Sequence, residues 1–357
     1  MFNKKTVKDV KIQGQIVLMR TDYNVPLENG KVTSDLRIRA SLPTINYLLE
    51  HGAKKIILIS HLGRPDGHKV PELSLKPVYE TLKSLLPDQQ LFFADDVSGP
   101  DVEMDVEQAP NSSIILLENL RFYPGEEKNS EDFAKEIAES THATLFVQDG
   151  FAVVHRAHAS TDAITKELPS VAGLLLEKEV GTLTAATENP AHPLLVIIGG
   201  SKVADKQPLI DKFMPLAENI AVGGKIAADG YASSNQKIYV AEDFTADAEG
   251  HKLDIGEAST AKIVSLIKPA KTIIWNGVLG LVEQPEFAKS STAVAEAIGQ
   301  QQGITSIICG GDTAGFVENL QATHPELNYT LVSTGGGAAL ELLSGLPLPG
   351  VEALEDN

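Results

Sequence analysis

Arginine and histidine crowd the short polar segments of the first half of the chain. RTDYN (20–24), SHLGRP (60–65), ENLRF (118–122) and QDGFAVVHRAH (148–158) together offer Asp22, Asn24, His61, Arg64, Arg121, His155, Arg156 and His158, with Arg37 shortly after the first of them. A guanidinium presents a planar fork of donors to carboxylate or phosphate, so guanidinium groups converging with imidazoles would form a site for a small anion carrying both. A single arginine at such a place is usually a solvated or salt-bridged surface residue, but several in equivalent places call for a common partner. His155 and His158 beside Asp149 could be imagined as metal ligands, yet the H-x-x-H spacing lacks a glutamate or third histidine at a zinc offset. A structural or substrate-contact role is the better reading.

The second half carries a different chemistry. GGSK (199–202), WNG (275–277), GGDT (310–313) and STGGG (333–337) put glycine where backbone N–H groups could approach a phosphate closely. Lys202 and Lys206 stand four apart at the start of an expected helix, where they repel each other and oppose the helix dipole unless an anion lies between them. Asp312 could cap the next helix or hold Mg²⁺ beside bound phosphates; next to STGGG and the lysines, the metal role is preferred. Neither G-x-x-x-x-G-K-[ST] nor G-x-G-x-x-G occurs, so a P-loop NTPase and a dinucleotide-dependent dehydrogenase lack their usual signatures.

These segments each follow an apolar, strand-like run. In the first half QIVLMR (15–20), KIILIS (55–60), IILLEN (114–119) and TLFVQD (144–149) alternate with helical patterns at 36–50, near 74–85 and near 131–140. The second half repeats the scheme with PLLVIIGG, ENIAVGG, KIYVAE, TIIWNG, SIICGG and LVSTGGG. Strands separated by helical stretches imply parallel βαβ units, and ligands of such sheets bind beyond the carboxyl ends of the strands. The expected fold is α/β: two doubly wound parallel-sheet (Rossmann-like) domains joined by a long helix and hinge. The helix is expected over 170–189, between Pro169 and Pro190, separating a domain over 1–169 from one over 190–344, with a tail over 345–357 returning to the first.

Length and charge bound the rest. With 357 residues, 43% of them hydrophobic, the chain is long enough for two cores, and no run approaches a membrane span. A net charge of −18 argues against a nucleic-acid partner. All six arginines lie within residues 20–156, so the two halves are equipped to hold anions differently. The N-terminal stretch lacks a signal-peptide apolar core, and the lone Cys309 excludes a disulfide framework, so a cytoplasmic setting is expected.

Taken in order, RTDYNVP, RIRASLPTI, SHLGRPDG, LLENLRFYPGEE, HRAHAS, GGSKVADK, WNG, GGDTA, STGGGAALELLSG and LPGV make the chain resemble the phosphoglycerate kinases along almost its whole length. The resemblance implies 3-phosphoglycerate bound in the first domain by Asp22, Asn24, Arg37, His61, Arg64, Arg121 and Arg156. It implies a nucleotide, ATP or ADP, bound in the second by Lys202, Lys206, Asn276, Glu283 (ribose), Gly311, Asp312, Thr313 and the Gly335, Gly336 and Gly337 loop, with Mg²⁺ on Asp312. Arg37 and Lys206 take the catalytic roles, stabilising the transferring phosphoryl group as the domains close about their hinge. The partners implied are small molecules only, with no nucleic acid or membrane, and a monomer is expected.

Three departures from the family pattern stand out. The chain is several tens of residues short after residue 230, a region that helps to wall the adenine pocket, while Lys225 replaces a glycine. Val278 stands where proline usually follows WNG, and Cys309 replaces the first glycine of GGGDT. An altered nucleotide preference, or a non-catalytic binding or scaffold role, is the alternative these departures raise; a kinase of the same mechanism acting on another acid fits less well with intact SHLGRP, NLRF and HRAH.

Overall fold

The computed structural model describes residues 2–357, which fall into two compact units, one comprising the chain to Val180 together with Pro347–Asn357, the other Gly181–Leu346. The first holds β1 (Ile16–Arg20), the short hairpin arms β2 (Leu27–Glu28) and β3 (Lys31–Val32), β4 (Lys55–Ile59), β5 (Leu91–Ala94), β6 (Ser113–Leu117), β7 (Leu145–Gln148) and β8 (Ser170–Ala172). Its helices are α1 (Leu36–Glu50), α2 (Lys76–Leu85), α3 (Pro100–Gln108), α4 (Pro124–Glu127), α5 (Glu131–Thr141) and α6 (Ile164–Glu167), before α7 (Leu174–Glu188), within which the boundary between units falls.

The second unit continues with β9 (Leu194–Ile198), β10 (Asn219–Val222), β11 (Ile238–Val240), the antiparallel pair β12 (Phe244–Ala246) and β13 (Lys252–Ile255), β14 (Thr272–Asn276), β15 (Thr305–Cys309) and β16 (Leu331–Ser333). Around them lie α8 (Val203–Phe213), α9 (Gly224–Ala228), α10 (Glu257–Ile267), α11 (Lys289–Gly299), α12 (Gly311–Thr323) and α13 (Gly336–Leu343); α14 (Pro349–Glu352) belongs to the tail.

Each unit is built on a parallel sheet covered on both faces. In β1, Val17 and Met19 share a core with Ile38, Ile45 and Leu48 of α1, whereas Leu18 faces a second core with Val102 and Val106 of α3 and Ile137 of α5. Alternate strand residues point to opposite faces, so a run in which every side chain is buried requires helices on both sides. The same holds in β9, where Leu195 and Ile197 pack with Ile263 of α10 and Val294 of α11, while Leu194, Val196 and Ile198 are buried on the other face.

Strand order places the polar segments. The first sheet runs β5-β6-β4-β1-β7-β8 and the second β11-β10-β9-β14-β15-β16. Connections leave β1 in one direction and later resume at β7 in the other, and likewise at β9 and β14, so these pairs are the topological switch points where a crevice opens at the carboxyl ends. RTDYN and QDGF lie at the first such point, GGSK and WNG at the second.

One expectation needs correction. Residues 170–172 do not begin the long helix; they form β8, pairing parallel with β7. On the other side Ala172 N donates to Lys5 O and Val7 N to Ala172 O, both at 2.9 Å, so an extended backbone is hydrogen-bonded on both flanks. The helix starts only at Leu174, where Thr44 Oγ1 accepts from Leu174 N at 3.1 Å and Asp149 Oδ1 from Leu175 N at 3.0 Å. A further strand and helix, β5 and α3, also lie where the sequence pattern predicted neither.

Candidate active site

The first unit gathers its cations around the end of β1. Arg20, the last residue of that strand, is fully buried. Its Nε donates to Ser160 Oγ at 2.7 Å, one Nη contacts His61 Nδ1 at 3.2 Å, and Glu126 lies 3.8 Å away as the buried counter-charge. Glu126 is in turn held by the Ser160 backbone N–H at 3.0 Å and hydroxyl at 2.6 Å. A buried guanidinium requires this degree of satisfaction. Neither Arg20 nor Glu126 was among the site residues expected; the available signal was an arginine closing an otherwise apolar strand, which must point inward.

Around this base stand the expected residues. Arg37, in the first turn of α1, donates from Nη1 to Asp22 Oδ2 at 2.7 Å and to Asn24 O at 3.1 Å. Asn24 Oδ1 accepts from Gly63 N at 2.9 Å, which ties the β1 loop to SHLGRP. Asn119 ties SHLGRP to ENLRF by donating to Leu62 O at 2.7 Å and accepting from Arg121 N at 3.0 Å, and Arg121 Nη1 donates to Gly63 O at 2.9 Å. Arg121 Nε is buried without a hydrogen bond, although Glu127 Oε1 is 3.2 Å away. Arg156 Nε donates to His155 Nε2 at 3.1 Å, and Arg64 is exposed.

The electrostatics report the convergence. Burial, then the charges of Arg20, Arg121 and Arg37, hold the His61 imidazole well below its ordinary pKa. Burial and then Arg121, Arg20 and Arg156 bring His158 down to about 4, and burial with Arg156 lowers His155. Arg121 is itself shifted down by burial, with Arg156 and Arg64 adding to the effect against Glu127 and Glu126. The cationic field that keeps these imidazoles neutral is one that a multiply charged anion would relieve.

In the second unit the switch point is built by backbone against backbone. Gly199 N donates to Asn276 O at 3.0 Å and Gly200 N to Val278 O at 2.9 Å. A Cβ on Gly199 would overlap the Gly277 and Val278 carbonyls, and one on Gly277, whose φ is 97°, would overlap Gly199. Glycine at both positions is a steric requirement of the junction.

Lys206, in α8, reaches across to donate to Asn276 Oδ1, while Asn276 Nδ2 contacts Cys309 Sγ at 3.2 Å. Burial lowers the Lys206 pKa, opposed by Cys309, Asp205 and Asp312. Thr313 Oγ1 accepts from Gly277 N at 3.0 Å. Asp312 lies inside the first turn of α12, whose N-cap is Gly310, so its carboxylate is not the cap.

A cleft of about 240 Å³ opens beside this junction, lined among others by Gly200, Ser201, Leu279, Glu283 and Asp312. Lys202, the N-cap of α8, does not line it, and Gly335, Gly336 and Gly337 lie at the carboxyl end of β16 in the N-cap and first turn of α13. Phe244, Lys252 and Asp254 do line it, from the β12–β13 pair that sequence patterning did not predict.

A profile of the family described as phosphoglycerate kinase matches residues 7–238 and 228–346. The chain is 39% identical over 399 aligned positions to a phosphoglycerate kinase of Moorella thermoacetica, covering 99% of this chain and 100% of the relative. The chain belongs to the phosphoglycerate kinase family.

Solved phosphoglycerate kinases have the same architecture. The enzyme of Coxiella burnetii superposes with a TM-score of 0.77 at 32% identity, covering 98% of each chain. That of Pyrococcus horikoshii gives 0.86 at 26% identity, over 99% of this chain and 98% of its own. The alignment to the Moorella relative is longer than the 357 residues of this chain, so that relative carries tens of residues missing here. The two stretches of the phosphoglycerate kinase profile meet at 228–238, between the end of α9 and β11.

Proposed function

We propose that the chain catalyses reversible phosphoryl transfer between ATP and the carboxylate of 3-phosphoglycerate, yielding ADP and 1,3-bisphosphoglycerate. The observation that carries this reading is the gathering of guanidinium groups around the buried His61 at the end of β4, next to β1: Arg20 contacts its ring at 3.2 Å, and Arg121 and Arg37 add their charge, in a chain that belongs to this family. In the reading, Asp22, Asn24, Arg37, His61, Arg64, Arg121 and Arg156 hold 3-phosphoglycerate. Lys202, Lys206, Asn276, Glu283, Gly311, Asp312, Thr313 and Gly335 to Gly337 hold the nucleotide.

The acceptor is a carboxylate, already nucleophilic at neutral pH, so no general base is needed and catalysis rests on positioning and charge stabilisation. Arg37 and Lys206 are the groups assigned to the phosphoryl oxygens in transit. Asn276 orients the Lys206 ammonium. The two substrates belong to different units, so transfer requires those units to bring their ligands into line while excluding water.

Mg²⁺ usually binds through one or two carboxylates plus substrate phosphates, and the Asp312 carboxylate on the cleft wall fits that pattern. Bound there, the ion would neutralise charge on the nucleotide phosphates. Among the described residues, the group of three or more possible metal ligands, Glu103, Glu107 and His142, is on an exposed surface of the other unit and takes no part. No helix of the described residues is long and apolar enough to cross a membrane. A cytoplasmic monomer acting on small molecules completes the reading.

The test is 3-phosphoglycerate-dependent ADP formation from Mg-ATP. Turnover that falls by at least ~10³ in Arg37→Ala or Lys206→Ala supports the assignment. A folded protein that binds 3-phosphoglycerate but turns over no nucleotide would replace it with the non-catalytic reading, which the shortened segment at 228–238 favours.

A further inference from the structure

Arg20 closes β1 with its donors turned into the protein. Nε donates to Ser160 Oγ at 2.7 Å, Nη1 to Thr21 O at 2.5 Å and to Ser60 Oγ at 3.3 Å, and Nη2 to His61 Nδ1 at 3.2 Å while facing Glu126 Oε1 at 3.8 Å. A guanidinium has five N–H groups and no acceptor. Four of these are met within the protein and the fifth has a buried carboxylate beside it, so this arginine is not equipped to grip an incoming anion. What it does hold is His61.

That bond decides which ring nitrogen of His61 carries the proton. Arginine cannot accept, so Nδ1 must, with its lone pair toward the guanidinium. Burial, and then the charges of Arg20, Arg121 and Arg37, keep the ring from taking a second proton. A neutral imidazole has one N–H, which is therefore on Nε2. An N–H at Nε2 can donate to a carboxylate or phosphate oxygen, whereas the other tautomer would set a lone pair against one.

The guanidinium is in turn held in place. Glu126, fully buried in α4, accepts from the Ser160 hydroxyl at 2.6 Å and from Ser160 N at 3.0 Å, and the same hydroxyl oxygen accepts from Arg20 Nε. Ser160 comes from a π-helical turn over Ala159–Ala163, so α4, this turn, β1 and the segment after β4 are linked through one guanidinium. His158 Nδ1 also lies 3.8 Å from Glu126 Oε1, but its ring is neutral, with a pKa lowered to about 4 by burial and the arginines, and leaves the carboxylate as the counter-charge of Arg20.

We propose that Arg20 is a positioning residue for the substrate anion: anchored by Glu126 and Ser160, it fixes His61 as the Nε2–H tautomer, so that the imidazole meets 3-phosphoglycerate as a hydrogen-bond donor. The proposal rests on the reading of this site as the 3-phosphoglycerate site.

The tautomer is read directly from two-bond ¹H–¹⁵N spectra at pH 7, with the His61 signals assigned by their absence in His61→Gln. In the wild type, Nε2 should be pyrrole-like and Nδ1 pyridine-like. Arg20→Met alone would leave Glu126 charged and buried, so the variant to compare is Arg20→Met/Glu126→Gln, which removes both charges, with folding checked by circular dichroism. Its two His61 nitrogen shifts should move toward each other as both tautomers populate. The calorimetric Kd for 3-phosphoglycerate should rise about tenfold, while that for Mg-ADP is unchanged.

A wild-type ring protonated at Nδ1, or at both nitrogens, would overturn the proposal without any variant. So would a folded variant that keeps the tautomer, or one that loses it with no weakening of 3-phosphoglycerate. An Nε2–H ring in a wild-type protein that binds no 3-phosphoglycerate would overturn the substrate reading, and this role with it, while leaving the tautomer assignment intact.

Discussion

Arg37 and Asp22 meet at the carboxyl end of β1, with Nη1 2.7 Å from Oδ2. The same nitrogen reaches Asn24 O, so the guanidinium is fixed by one carboxylate and one carbonyl from a single loop. A lysine could keep the charge but could not present a planar fork to a phosphoryl group while making these bonds. Arg37→Lys is accordingly expected to lower kcat by about 10² with a smaller change in the KM for 3-phosphoglycerate, measured by steady-state kinetics. Near-normal kcat in that variant would show that charge alone suffices.

His61 and His158 should resist protonation. His158 is depressed to about 4 and His61 well below its ordinary value, by burial first and then by the surrounding arginines. Imidazole ¹⁵N shifts recorded at pH 6 should show both rings neutral. The unfolded chain binds protons at these sites below about pH 6.5 while the folded one does not, so stability is lost as pH falls from there toward about 4. His158→Gln should make urea unfolding less acid-sensitive in that window.

Asp149 produces the opposite slope. Burial pushes its carboxyl up to about 7, against hydrogen bonds from Thr44 and the backbone of Leu175 and Leu176. Between about pH 4 and 7 the folded protein holds a proton that the unfolded chain has released, so this group makes stability fall as pH rises through that range. Its slope can be at most ~1.4 kcal/mol per pH unit. Asp149→Asn keeps an oxygen for Thr44 and Leu175, and the difference between wild-type and variant unfolding free energies should vary with pH in this sense. A difference independent of pH would mean that Asp149 is ionised throughout.

The C-terminal tail is part of the first unit. Lys4 Nζ, buried, donates to Glu352 O at 2.9 Å, Leu354 O at 3.0 Å and Asp356 Oδ1 at 2.7 Å, while Leu348, Val351 and Leu354 are buried. Removing residues from Pro347 onward would take away three buried apolar side chains, bare the surface they cover and strand the Lys4 ammonium. A loss of ~3 kcal/mol or more in the first unit is expected from urea denaturation of the shortened chain. An unchanged first transition would show that the tail is a passive strap.

Much of this fold was legible because its strands are local. Apolar runs such as KIILIS and PLLVIIGG are buried on both faces whatever their neighbours, and the polar segments after them must lie at a sheet edge. The parts that patterning missed are those whose identity depends on partners. LFFA (91–94) is strand β5 because β6 lies beside it, and residues 170–172 are strand because β7 and the N-terminal segment flank them.

By itself the sequence determined the chemistry on offer: arginines confined to residues 20–156, glycine pairs at strand ends, and an ordered set of motifs shared with one family. The tertiary structure alone decided which groups meet. Lys206 finds Asn276 seventy residues away because β9 and β14 are neighbours at a switch point. Arg20 finds Glu126 and Ser160 because a buried charge must be satisfied wherever the packing brings an acceptor. Side-chain type is local information, but a contact between distant segments depends on strand order, which follows from how the helices cover each sheet.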